Sequence, residues 1–103
     1  MQIKHLEHKY GGKITALTAI EHGTGPYGAW WDFIGRIAWP NEGVSEDMRI
    51  SPAMLCFDHD NPMACAEYDA VMAALATYRS THGRMDDRGH WLPSAKAGRA
   101  ALD

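Results

Sequence analysis

The sequence predicts an α+β fold: an antiparallel meander of three or four strands, one long α-helix packed across one face, and an irregular C-terminal tail. Three observations lead there. Residues 30–39, WWDFIGRIAW, hold three of the four tryptophans and alternate with period two. Residues 62–82 are rich in Ala, Met and Leu, start behind Asp60-Asn61-Pro62 and end at the breaker Gly83. The remaining segments are punctuated by Gly-Gly, Gly-Pro and single prolines, which mark turns. Residues 1–90 form one α+β domain in this reading, and 91–103 a partly ordered tail.

Taken in order, QIKHLEHKY (2–10) reads as a polar edge strand, with Ile3 and His5 on one face and Lys4 and Leu6 on the other. Gly11-Gly12 supplies a hairpin turn. KITALTAI (13–20) is a second strand, placing Ile14, Ala16, Thr18 and Ile20 together. HGTGPYG (22–28) is a loop by composition. In the third strand Trp31, Phe33, Gly35, Ile37 and Trp39 form the dry face; Trp30, Asp32, Ile34, Arg36 and Ala38 form the wetter one, where Asp32 and Arg36 can pair. Pro40 ends this strand because it cannot donate to a ladder. NEGVSED is a polar turn, and MRISPAMLCF (48–57) a fourth strand interrupted at Pro52.

The helix has the clearest local signals. Asp60 or Asn61 caps it, Pro62 occupies its first turn, and Glu67 lies toward its positive end. Ala64, Tyr68, Val71, Met72, Leu75 and Tyr78 share one side. They are expected to meet Trp31, Phe33, Ile37 and Trp39, a helix-on-sheet arrangement of two layers. In the tail, Trp91 is expected to pack back on the domain, and Ser94 offers a cap for a short helix over SAKAGRAALD that Gly98 weakens, with order falling off toward the end.

Composition narrows the functions. A net charge of −3 lacks the basic stripe of a nucleic-acid binder, so no direct nucleic-acid contact is expected. No apolar run approaches the roughly 20 residues of a membrane span. The segment MQIKHLEHKYGGK lacks the apolar centre of a signal peptide, and the reading is a cytoplasmic protein with Cys56 and Cys65 as free thiols.

The densest chemical cluster is CFDHDNPMAC (56–65), offering Cys56, Asp58, His59, Asp60 and Cys65. Helix capping and small-hydrophobe packing account for these residues, so no metal, cofactor or catalytic residue is assigned. The rival reading is a small metal-binding or hydrolytic module centred on Asp58, His59 and Cys65. A catalytic histidine needs an oriented partner, and His22 with Asp32 or Asp58 is the nearest approach to one. GTGPYG has neither the lysine of a phosphate loop nor dinucleotide spacing.

Contact with a macromolecule has more behind it. Trp30 and Ile34 lie on the wetter face with Tyr27 just before them, and exposed Trp, Tyr and Arg are the usual anchors of interfaces. Glu42, Glu46 and Asp47 gather in one turn. The partner-binding set is therefore Tyr27, Trp30, Asp32, Arg36, Glu46 and Asp47. The small outer side of the helix, with Ala66, Ala73 and Ala76, offers a second surface.

In size and architecture, WWDFIGRIAW followed by EYDAVMAALATY resembles small inhibitors encoded by phages and plasmids, anti-CRISPR proteins among them. The resemblance transfers no functional residue. It implies a non-enzymatic protein that binds and blocks a bacterial defence complex, often through that complex's nucleic-acid-recognising surface. A structural homo-oligomer subunit, with a homodimer as its simplest form, is the remaining alternative.

Overall fold

The structure, a computed structural model, describes residues 1–82, 88 and 97–102. Its elements are β1 (Glu7–His8), β2 (Lys13–Gly25), β3 (Gly28–Trp39), β4 (Gly43–Val44), β5 (Met48–Ile50), a 3₁₀ turn (Pro52–Met54), β6 (Leu55–Cys56), α1 (Pro62–Thr81) and β7 (Gly98–Ala101). One antiparallel sheet contains all seven strands, in the order β4-β3-β2-β1-β6, with β5 also on β3 and β7 also on β2. The α+β class holds, but the sheet exceeds the expected three or four strands. The additional ones are short segments of two to four residues that sequence patterning does not resolve.

The β2–β3 hairpin is the spine. Its ladder runs from Lys13↔Ala38 to Gly25↔Gly28, leaving Pro26 and Tyr27 as a two-residue turn. The expected loop over 22–28 is thus strand up to the tip. The glycines sit in the ladder because a neighbour needs their missing side chain: a Cβ on Gly23 would stand 2.5 Å from the Trp30 indole.

Strict alternation fails in β2. Its register against β3 shifts between Ile14 and Ala16 and again between Leu17 and Ala19. Each shift inserts one residue and flips the phase of those that follow. Ile14, Leu17 and Ile20, three apart, all become buried. The expected grouping of Ile14, Ala16, Thr18 and Ile20 is corrected accordingly. The inserted residues are Thr15 and Thr18, whose hydroxyls donate to the carbonyls of Arg36 and Ile34 at 3.3 and 3.2 Å.

α1 starts as expected. Asn61 is the cap, its side-chain oxygen accepting from Met63 N and Ala64 N, and Pro62 follows it. Ala64, Val71, Leu75 and Tyr78 are buried. Val71, Leu75 and Tyr78 join Ile14, Leu17, Ile20, Phe33, Ile37 and Ile50 in one core, with Trp31, Trp39, Tyr68 and Met72 packed at its margin. Each fully buried Leu, Ile, Val or Phe there contributes about 1.5–3 kcal/mol.

Residues 2–10 are a strand only at Glu7–His8, with an isolated bridge from Gln2 to Ala16. Ile3 and Leu6 therefore both reach the core instead of pointing apart. The bend between them is fixed by Glu67, whose carboxylate accepts from Lys4 N at 3.0 Å and His5 N at 2.6 Å. That tether, not the helix dipole alone, accounts for an acidic residue at this position. After Pro52 the chain leaves β5 and returns on the far side of the sheet as β6, paired with β1.

The tail is corrected too. Gly98–Ala101 is a strand on β2, not part of a helix, and Ala100 and Leu102 pack against the core. Trp91 and Ser94 lie outside the described residues.

Candidate functional site

Pairing across the sheet assigns each side chain to a face. Phe33, Trp31, His22 and Ile20 point toward α1. Trp30, Asp32, Ile34, Arg36, Glu21, Arg49 and Arg99 then belong to the opposite, outer face, because successive residues and their ladder partners alternate together. Of the expected contact set, Trp30, Asp32, Arg36 and Asp47 come together here. Tyr27 is fully exposed at the hairpin tip. Glu46 is exposed in the segment joining β4 to β5.

Trp30 is half-buried between two neighbours. The indole lies against Gly23, and the Arg49 guanidinium sits 3.9 Å from its ring centroid. Arg49 in turn donates to Asp32 Oδ2 from Nε at 2.9 Å and from Nη2 at 2.7 Å. The geometry is that of a cation–π contact locked by a charge-assisted fork. Farther along β3, Arg36 Nε donates to Asp47 Oδ1 at 3.0 Å, and the Thr18 hydroxyl, whose single proton is shared with the Ile34 carbonyl, lies 3.3 Å from Asp47 Oδ2. Asp32 and Arg36 do not pair with each other; each has found a partner on the segment that folds back over β3. Ile34, expected on a wet surface, is buried at 5% exposure. Its ladder neighbours are Ala19 and Arg49.

Three members of this surface were not anticipated: Arg49, Glu21 and Arg99. Arg99 Nη1 lies 3.6 Å from Glu21 Oε1. An open cavity of about 870 Å³ is bordered by Trp30, Gly98 and Arg99, together with Glu21, His22, Gly23 and Thr24. Arg49 was legible as an outward residue of its strand, but pairing of β5 with β3 was not. Arg99 fell in the segment expected to be helical.

The inner face at the same level is a packed interior. His22 is 3% exposed and its Nδ1 is hydrogen-bonded with Tyr78 Oη at 2.6 Å. His82 stacks on Tyr78 with centroids 4.5 Å apart. Burial, and secondarily the negative charge of Glu21, push the Tyr78 phenol above its ordinary value. His22 thus takes Tyr78 as partner, and Asp32 points to the opposite side of the sheet from it.

The residues of the rival metal reading are used locally. Asp58 Oδ1 accepts from Asp60 N at 2.9 Å, the Cys65 thiol donates to His59 O at 3.3 Å, and the His59 ring lies 4.2 Å from that of Phe57. Among the described residues, no group of three or more His, Cys, Asp and Glu is placed to hold a metal ion. Cys56 and Cys65 are free thiols. No helix among the described residues is long and apolar enough to cross a membrane.

No protein-family model, curated protein or solved structure matches the chain.

Proposed function

We propose that the chain is a non-enzymatic protein-binding domain, and that its contact surface is the outer face of the sheet around Trp30, Asp32, Arg36, Asp47 and Arg49, with Tyr27 at one end. The observation that carries this reading is Arg49 stacked over Trp30 while forked onto Asp32. Trp and Arg are the residue types on which binding energy concentrates. Fixing both side chains in advance lowers the entropy lost on association. A Trp–Arg pair held on regular strands, next to a concavity, suits the capture of a partner side chain.

The resemblance to small phage- and plasmid-encoded inhibitors makes bacterial defence complexes the first partners to assay. The experiment is affinity capture from the native host, quantified for the wild type, Trp30→Ala and Met63→Ala. Met63 is exposed at the start of α1, away from this face. A partner retained by the wild type and Met63→Ala but lost by a folded Trp30→Ala is the expected result. Equal retention by all three removes the proposed surface.

A further inference from the structure

Among the described residues, three arginine–carboxylate pairs lie on the outer face, and in each the arginine is the more exposed member. Side-chain exposure is 55% for Arg49 against 14% for Asp32, 52% for Arg99 against 27% for Glu21, and 51% for Arg36 against 41% for Asp47. The pairs are neutral, and in each the arginine side chain is the one more open to an approaching surface.

Hydrogen-bond accounting points the same way. A guanidinium has five N–H donors. Both bonds from Arg49 end on a single oxygen, Asp32 Oδ2, and use only Nε and Nη2. Arg36 uses Nε alone. Arg99 approaches Glu21 only to 3.6 Å. Each arginine is oriented by its carboxylate and keeps donors for another acceptor.

We infer that the partner segment bound by this face is acidic, its carboxylates accepting from the outward edges of Arg49, Arg99 and Arg36. This rests on the docking reading above. Carboxylate matches the planar fork of arginine, and the stack on Trp30 has already restricted Arg49. Arg99, Glu21 and Asp32 are cross-strand neighbours on β7, β2 and β3, and Arg49, whose ladder partner is Ile34, reaches back along β3 to Asp32. The two central carboxylates repel an acid placed over them, so acids settle at the arginines on either side.

The test is a titration with hexaglutamate and, separately, hexalysine, read by NMR at the arginine Nε–H and tryptophan indole signals at low ionic strength. The chain's net charge of −3 repels a polyanion at long range, so hexaglutamate binding has to come from local donors. Saturable shifts at Arg49, Arg99 and Trp30 with hexaglutamate and none with hexalysine are expected. Arg49→Lys and Arg99→Lys keep the charge and lose the fork, and each is expected to weaken binding about tenfold. Absence of a saturable shift with hexaglutamate, a preference for hexalysine, or undiminished binding by both lysine variants overturns the inference. If hexaglutamate fails while Trp30→Ala still loses the captured partner, the acidic preference falls and the docking surface stands; if Trp30→Ala retains the partner, both fall.

Discussion

Glu21 and Asp32 are directly opposed across the β2–β3 ladder, two carboxylates side by side on the outer face. Like charges in that relation are destabilising by themselves. Each is held from its far side by an arginine, Arg99 at 3.6 Å and Arg49 at 2.7 Å. The carboxylate pair is stable because each acid has a cation beside it, and the two contacts differ in strength. Asp32 is the less exposed acid and has the shorter contact, so Arg49 matters more than Arg99.

Arg49→Ala is therefore expected to destabilise the fold by about 1–2 kcal/mol, above the usual value for an exposed pair, because it strands a mostly buried carboxylate beside a second one. Adding Asp32→Asn is expected to recover part of that loss by removing the repulsion from Glu21. Urea denaturation of both single variants and the double variant checks this. Additive losses would show that Asp32 and Arg49 are energetically independent.

Gly23 and Gly35 both lack room for a Cβ, but the obstructing atoms differ. At Gly23 the obstruction is the Trp30 indole, 2.5 Å away; at Gly35 it is the Ala16 backbone carbonyl oxygen, 2.3 Å away. A side chain can swing aside and a ladder carbonyl cannot. Gly35→Ala is expected to lower the melting temperature far more than Gly23→Ala, which instead displaces Trp30 and changes its fluorescence. Similar melting temperatures for the two variants would contradict this.

The sequence is most legible where one local rule acts alone. Asn61-Pro62 fixes the start of α1, and its apolar side reaches the core in the order the wheel gives. The β3 faces follow from alternation, since β3 contains no bulge in its central run from Trp30 to Gly35. Legibility ends where long-range pairing decides. Thr15 and Thr18 look like ordinary strand residues, and only the register with β3 makes them bulges. Arg49 and Arg99 join the outer face through strands of three and four residues, too short to carry a period. A glycine-rich stretch read as a loop is strand because its pairing with β3 continues to Gly25↔Gly28, where Gly23 leaves room for the Trp30 indole.

Trp30 and Trp31, adjacent in sequence, are each covered by an arginine on opposite faces: Trp30 by Arg49 and Trp31 by Arg79 of α1, at 4.2 Å. Only Trp31 also packs against the core, while Phe33 is wholly buried within it. Truncation to Ala is expected to cost about 3–5 kcal/mol at Phe33, somewhat less at Trp31, and about 1 kcal/mol at Trp30. Chemical denaturation gives all three values. A Trp30 loss equal to that of Phe33 would make Trp30 a structural residue and weaken the docking proposal.

The inner face sets the response to alkali. Tyr78 is 5% exposed, and its phenol ionises above its ordinary value of 10.0 because burial, then the charge of Glu21, disfavours phenolate. The folded chain thus holds this proton more tightly than the unfolded chain does. Its contribution to stability is complete below the unfolded value of 10.0 and is lost as pH rises from there through the folded-state value. The melting temperature is expected to fall above about pH 10, with a smaller fall in Tyr78→Phe, which has no proton to lose at this position. That variant also gives up the bond to His22, so it starts less stable near neutrality, and the comparison is between slopes and not absolute values. Parallel alkaline slopes in the two proteins would assign the transition to other groups.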